Sequence, residues 1–247
     1  MVGKKDIRFA CGVGSTVWLA SDDGFIYVYC AITYKQLCQG TLPGDKYVLC
    51  MIHVPKCNCV LVALSNGQVM AYSDNVYTHS RFKESCDLTS PKELTPLRIY
   101  PGMRSIHCMA AVAIPKETCG DERSNGGGAQ SCYEVWCGEQ KGRIAVLNAD
   151  TLQEKTFLAA EDCDLDNPCL DNLTVTKLET CQTYAESISG LDPLASSVWV
   201  AVYPGTSVYR YDARVKRVVN SIDCSQNRPS HEGEQRKGNL ELGRRDS

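Results

Sequence analysis

The chain has 247 residues, 43% of them hydrophobic and 22% charged, with a formal net charge of -3. That length is enough for one large all-β domain or two ordinary ones with a real core. The near-neutral balance lacks the basic footprint of a nucleic-acid or anionic-membrane partner, and no apolar run approaches the ~20 residues that span a bilayer.

A short phrase recurs along the chain: Val, then Trp or Leu, then Gly six positions after that bulky residue. It reads Val17-Trp18 to Gly24, Val60-Leu61 to Gly67, Val135-Trp136 to Gly142 and Val198-Trp199 to Gly205. Self-similarity at a spacing of tens of residues marks a repeat architecture. The repeated unit is a β-hairpin, because Asp23-Gly24 and Asn66-Gly67 accept the positive φ of a tight turn and Lys141-Gly142 and Pro204-Gly205 occupy the same slot.

Taken in order, unit one predicts strands at 6–13, 16–21, 25–30 and 36–42. Unit two predicts them at 46–54, 59–64, 68–73 and 97–100, the last two separated by an insertion. Unit three predicts 105–114, 133–138, 143–148 and 154–159. Unit four predicts 173–181, 197–202, 206–211 and 216–222. Four strands per unit is the blade of a β-propeller, so residues 1–226 read as four blades spanning 6–42, 46–100, 105–159 and 173–222. Neither end offers a spare strand to complete a shared blade, which predicts an open arc of a larger propeller whose exposed faces promote association. Helix is expected to be scarce.

Insertions 75–96, 116–132 and 160–172 read as loops. The third is acidic, with Glu161, Asp162, Asp164, Asp166 and Asp171, and is the candidate partner-facing loop, although charge runs are more often plain solvated surface. Residues 227–247 mix both charge signs with Gly, Ser and Pro, and predict a disordered polar tail.

The 15 cysteines are an odd number, follow no signal-peptide pattern and fall largely inside strands. Cys30, Cys50, Cys108 and Cys137 read as small buried hydrophobes in a reduced, cytoplasmic protein. Cys57-Asn58-Cys59, Cys132 and Cys137 raise the question of zinc, but no second Cys or His pair completes a tetrahedral set, and His53, His79, His107 and His231 are scattered. Gly126-Gly127-Gly128 is followed by Ala129-Gln130-Ser131 and lacks the Lys and spacing of a phosphate cradle. No hydrolase or metalloprotease motif is present, so no enzyme activity, cofactor or metal is expected. Trp18, Leu61, Trp136 and Trp199 occupy one equivalent position, as a repeated core contact would, and not the varied positions of an aromatic ligand cage. Ser90-Pro91 and Thr95-Pro96 read as turn chemistry before phosphorylation sites, and Asn172-Leu173-Thr174 as a chance glycosylation pattern.

Val17-Trp18-Leu19-Ala20 with Gly24 and Tyr27-Val28, Val60-Leu61-Val62-Ala63-Leu64 with Asn66-Gly67, Ser105-Ile106-His107-Cys108-Met109-Ala110, Val135-Trp136-Cys137-Gly138 and Val198-Trp199-Val200 resemble, in the same order, the C-terminal WD40-like propeller of JNK-interacting scaffold proteins of the Sunday driver class. The stretch 144–152, with Val146-Leu147-Asn148 and Thr151-Leu152, is at least as similar to the propellers of certain Rho guanine-nucleotide exchange factors, and Roco-type kinases carry a more distant relative. The first resemblance covers about residues 6–223 and implies a non-enzymatic, cytoplasmic scaffold module that links MAP kinase signalling to motor-driven vesicle transport and reaches vesicles through protein partners. In that family the coiled coils that engage kinases, kinesin light chain and dynactin precede the propeller. This chain has no heptad series to carry them. The alternative resemblance implies a regulatory propeller of an exchange factor.

Overall fold

Period-two alternation of apolar residues becomes four antiparallel sheets laid out in chain order. The computed structural model describes residues 6–74, 91–102, 104–114, 132–159, 174–187 and 190–225. The first sheet contains β1 (Ile7–Val13), β2 (Thr16–Ser21), β3 (Phe25–Cys30) and β4 (Gln36–Thr41). The second contains β5 (Val48–Val54), β6 (Cys59–Leu64), β7 (Gln68–Ser73) and β9 (Arg98–Pro101). The third is built from β10 (Ile106–Ile114), β11 (Cys132–Glu139), β12 (Arg143–Asn148) and β13 (Glu154–Ala159), and the fourth from β14 (Thr174–Ser187), β15 (Gly190–Tyr203), β16 (Ser207–Asp212) and β17 (Arg217–Asp223). Among the described residues there is no α-helix, only one 3-10 turn at Pro55–Cys57. The chain is a partial β-propeller of four four-stranded blades.

The blades carry apolar residues on both faces, so each is stable only when stacked against a neighbour. The inner strands β1, β5, β10 and β14 pack successively against one another. Three apolar clusters fill the three joints. The first holds Trp18, Ile26 and Val28 against Val60, Val62 and Tyr72; the second holds Leu61, Ala63 and Val69 against Val135, Cys137 and Leu147; the third holds Trp136, Ile144 and Val146 against Val198, Val200 and Tyr211. Trp18 and Tyr72 lie 6.1 Å apart between ring centroids, and Trp136 meets Tyr211 edge-on at 5.9 Å and 76°, a geometry favoured by the aromatic quadrupole. Among the described residues the fourth blade makes no comparable packing against the first. The arc is open.

Trp18, Leu61 and Trp136 are fully buried. Trp199 occupies the equivalent place but is only half-buried, because the face it occupies belongs to the last blade and no further sheet covers it. Gly24, Gly67 and Gly142 have φ of 81°, 89° and 66°. Gly205 does not adopt a positive φ; its turn instead follows a cis Tyr203-Pro204 bond.

Two expectations about connecting segments need correction. The insertion 75–96 is not a loop throughout: its end forms β8 (Lys92–Glu93), which adds to the outer edge of the first blade in parallel with β4, pairing Cys38 with Lys92 and Gln39 with Glu93. Leu94 follows and is buried in the first joint, where Gly40 leaves room; a Cβ there would come within 2.9 Å of the Leu94 carbonyl oxygen. An unpaired edge is a template for a strand, and here the neighbouring blade supplies one. In the fourth blade, β14 and β15 run beyond the expected 173–181 and 197–202 as one long hairpin, paired from Thr183 with Leu194 to Ser187 with Gly190. The acidic insertion, the Gly126-Gly127-Gly128 stretch and residues 227–247 lie outside the described residues.

Deleting the indole at Trp136 removes a filled joint and is expected to cost about 3–5 kcal/mol in denaturant unfolding, with Trp199→Ala costing less than half of that. Gly67→Ala combines a positive φ with a Cβ that would sit 2.6 Å from the Arg104 backbone nitrogen, whereas nothing lies within 4 Å of a Cβ at Gly24. Gly24→Ala is therefore expected to lose about 1–2 kcal/mol, the ordinary left-handed penalty, and Gly67→Ala clearly more, read as shifts in the unfolding midpoint.

Candidate interaction surface

The central groove is lined by the four inner strands, and each carries a β-bulge at the same level. The register skips between Ile7 and Phe9, Val48 and Cys50, Ile106 and Cys108, and Val175 and Lys177. The four bulged residues are therefore Arg8, Leu49, His107 and Thr176. A bulge bends its strand and re-aims a side chain, so one residue per blade is presented at one rim of the groove. Arg8 is exposed and stacks over the Tyr47 ring at 5.1 Å. The buried Nε2 of His107 has no hydrogen-bond partner, and burial lowers its pKa, which favours the neutral imidazole.

The same rim carries the hairpin turns at Gly24, Gly67, Gly142 and Gly205, because the bulges lie at the strand ends paired with the starts of those turns. β13 ends at this rim at Ala159 and β14 begins there at Thr174, which bridges to Gln140; the segment 160–173 between them lies outside the described residues. Glu161, Asp162, Asp164 and Asp166 belong to that segment. At the opposite rim β10 ends at Ile114, β11 begins at Cys132 and β7 ends at Ser73.

Two carboxylates inside the third blade tie the rims to the core. Glu139 is fully buried, bonded to Arg143 at 2.9 Å; Arg143 reaches Glu154 at 2.7 Å, and the Tyr100 hydroxyl, from the second blade, donates to Glu154 at 2.5 Å. Burial raises the Glu139 pKa, and the Arg143 charge pulls it back. Burial also works against the Arg143 charge, but Glu139 and Glu154 outweigh it and hold its pKa above the usual value. Tyr100 is pushed up by burial and by Glu154, so it stays a neutral donor. Glu134 is equally hidden and sits between Lys155 at 3.4 Å and Lys216 of the fourth blade at 3.2 Å, with the Trp136 Nε1–H at 3.4 Å on its other oxygen. Each network crosses a joint. The sequence analysis passed over both carboxylates; the available signal was two glutamates flanking Val135-Trp136-Cys137-Gly138 inside an otherwise apolar strand.

The ten cysteines whose side chains are described are all free thiols. Burial pushes Cys108 up to about 12 and Cys59 up to about 11, and raises Cys137 well above the usual thiol value. Cys57, raised to about 12 by burial and then by Asp150, shares that neighbourhood with Cys59. Among the described residues no group of three or more His, Cys, Asp or Glu side chains is placed to hold a metal ion, and no helix is long and apolar enough to cross a membrane.

No family model matches the chain. The curated C-Jun-amino-terminal kinase-interacting protein 3 of Rattus norvegicus is 29% identical over 146 residues, which is 58% of this chain but 8% of that protein's length. Among solved structures, BamB from Moraxella catarrhalis aligns with a TM-score of 0.50 at 13% identity over 86% of this chain and 52% of its own. A chain of the mitotic checkpoint complex aligns at 0.51 and 10% over 88% and 51%, and Raptor of Chaetomium thermophilum at 0.52 and 9% over 90% and 16%. The structural likenesses establish the propeller fold. The sequence relative is a kinase-interacting protein, of which this chain matches a small part.

Two outcomes follow from the buried groups. A folded-state pKa raised above the unfolded one contributes stability below the unfolded pKa and loses it as pH rises through the folded pKa. Removing the Arg143 charge leaves Glu139 buried and unpaired, so Arg143→Ala is expected to cost about 3–5 kcal/mol at pH 8 and less as the pH falls and protonation removes the buried charge; denaturant titrations across that range measure the gap. Iodoacetamide at pH 8 should alkylate the exposed Cys224 in the native protein and reach Cys59, Cys108 and Cys137 only after denaturation, as read by peptide mass spectrometry.

Proposed function

We propose that this propeller arc is a non-enzymatic protein-binding module of a cytoplasmic scaffold that links MAP kinase signalling to motor-driven vesicle transport. The observation that carries the reading is the 146-residue match to a kinase-interacting protein, falling on a fold whose rigid blades present loops at two rims. Rigid strands hold such loops in fixed register, so recognition rests on surface complementarity. The rim bearing the bulged residues and the acidic segment 160–173 is the binding face in this reading. The one-signed charge of that segment favours a basic partner and mainly accelerates encounter.

Proximity labelling in cells tests it. The chain fused to a labelling enzyme is expected to enrich MAP kinase and motor-complex proteins over a Trp136→Ala control that lacks a filled joint. Neutralising Asp162, Asp164 and Asp166 together is expected to lower that enrichment without lowering the thermal midpoint. No enrichment of either class over the control contradicts the scaffold reading, and undiminished enrichment in the neutralised variant removes the acidic segment from it.

A further inference from the structure

The two ends of the arc carry the two halves of the joint that the interior of the arc repeats. At each internal joint, the bulky second-strand residue of one blade faces the third strand of the next: Trp18 faces Tyr72, Leu61 shares a cluster with Leu147, and Trp136 faces Tyr211. By register, the matching third-strand position in the first blade is Tyr29, and the matching second-strand position in the last blade is Trp199. Tyr72, Leu147 and Tyr211 are buried, while Tyr29 and Trp199 are half-buried.

The turn between third and fourth strands repeats the contrast independently. Tyr34, Leu152 and Lys216 occupy one position: their φ values are 58°, 58° and 55°, and each donates its N–H to the carbonyl four residues earlier. Leu152 is buried in the second joint and Lys216 ion-pairs with Glu134 of the preceding blade, yet Tyr34 is 83% exposed. Ala149 and Ala213 are fully buried at the start of this turn, and the equivalent Ala31 is exposed. On the other end, Val208 is half-buried where Ile26, Val69 and Ile144 are fully buried, and Ile222 is 49% exposed.

We propose that two copies of this chain join head to tail, the Trp199 face of each copy packing on the Tyr29, Ala31 and Tyr34 face of the other. Two such joints close eight blades into a ring. A second copy is the occupant because one chain carries both complementary halves in matching register. A heterologous contact of this kind forms either a ring or an open filament, and the account commits to the ring.

Light scattering on the size-exclusion eluate tests it at micromolar concentration. The 27.2 kDa chain is expected to elute at twice that mass. Trp199→Glu and Ala31→Arg change opposite faces and should each give monomers, with cooperative unfolding retained because both positions are at least partly exposed; Ile222→Glu serves as a second variant of the Trp199 face. Mixing Trp199→Glu with Ala31→Arg leaves one intact pair of faces, and the mixture is expected to recover a two-copy species. A monomeric wild type, open polymers, variants that still associate, or a mixture that stays monomeric each overturns the proposal.

Discussion

Everything in this molecule depends on how one blade's second strand meets the next blade's third strand. A single four-stranded sheet with apolar residues on both faces cannot bury them, so the fold exists only as a stack. The joint sets sequence requirements on both sides. A large residue at Trp18, Leu61 or Trp136 must find a large partner at Tyr72, Leu147 or Tyr211, and the next position on that face must be small, as Ala20, Ala63 and Gly138 are. At Gly138 the reason is visible: a Cβ there would come within 2.6 Å of Val175 on the next inner strand. The large residue sits mid-strand and the small one lies two positions on, toward the hairpin turn, where the next inner strand comes close.

The polar groups inside the joints follow the same logic with a different cost. Glu134 and Glu139 are taken out of water, and each is held by cations reaching from its own blade or the next. A buried ion pair adds little net stability over an apolar pair, but losing one partner is expensive. These networks therefore act chiefly against misalignment: a blade slipped by one residue turns a carboxylate toward an apolar neighbour. The bulge repeated on all four inner strands has the complementary role of presenting one different side chain per blade, Arg8, Leu49, His107 and Thr176, on an otherwise uniform groove. Uniform joints with variable rims suit a surface that binds other proteins.

The sequence was legible where a local rule and the repeat agreed. The Val-Trp or Val-Leu phrase located the second strand of every blade, and Gly24, Gly67 and Gly142 marked turns that need a positive φ. What it did not reveal depends on contacts between distant segments. Nothing local in Lys92-Glu93-Leu94 says that it returns to the edge of the preceding blade, because its partners in β4, Cys38 and Gln39, lie 54 residues earlier. Trp199 has the same sequence context as Trp136, and its half-exposure arises only from its place at the end of the stack. Glu139 reads as an ordinary polar residue at a strand end until Arg143, Glu154 and Tyr100 are brought together across the second joint. The Gly205 turn departs from the others in that its glycine does not take a positive φ.

The central claim is that facing aromatic residues across the joints couple one blade to the next. A double-mutant cycle on Trp136 and Tyr211 addresses it directly, using Trp136→Phe and Tyr211→Leu so that the joint remains filled. Denaturant unfolding of the wild type, the two single variants and the double variant gives the coupling energy. The account predicts about 0.5–1.5 kcal/mol of favourable coupling, the range of a well-oriented aromatic pair. Additive losses, with no coupling between the two positions, would contradict it.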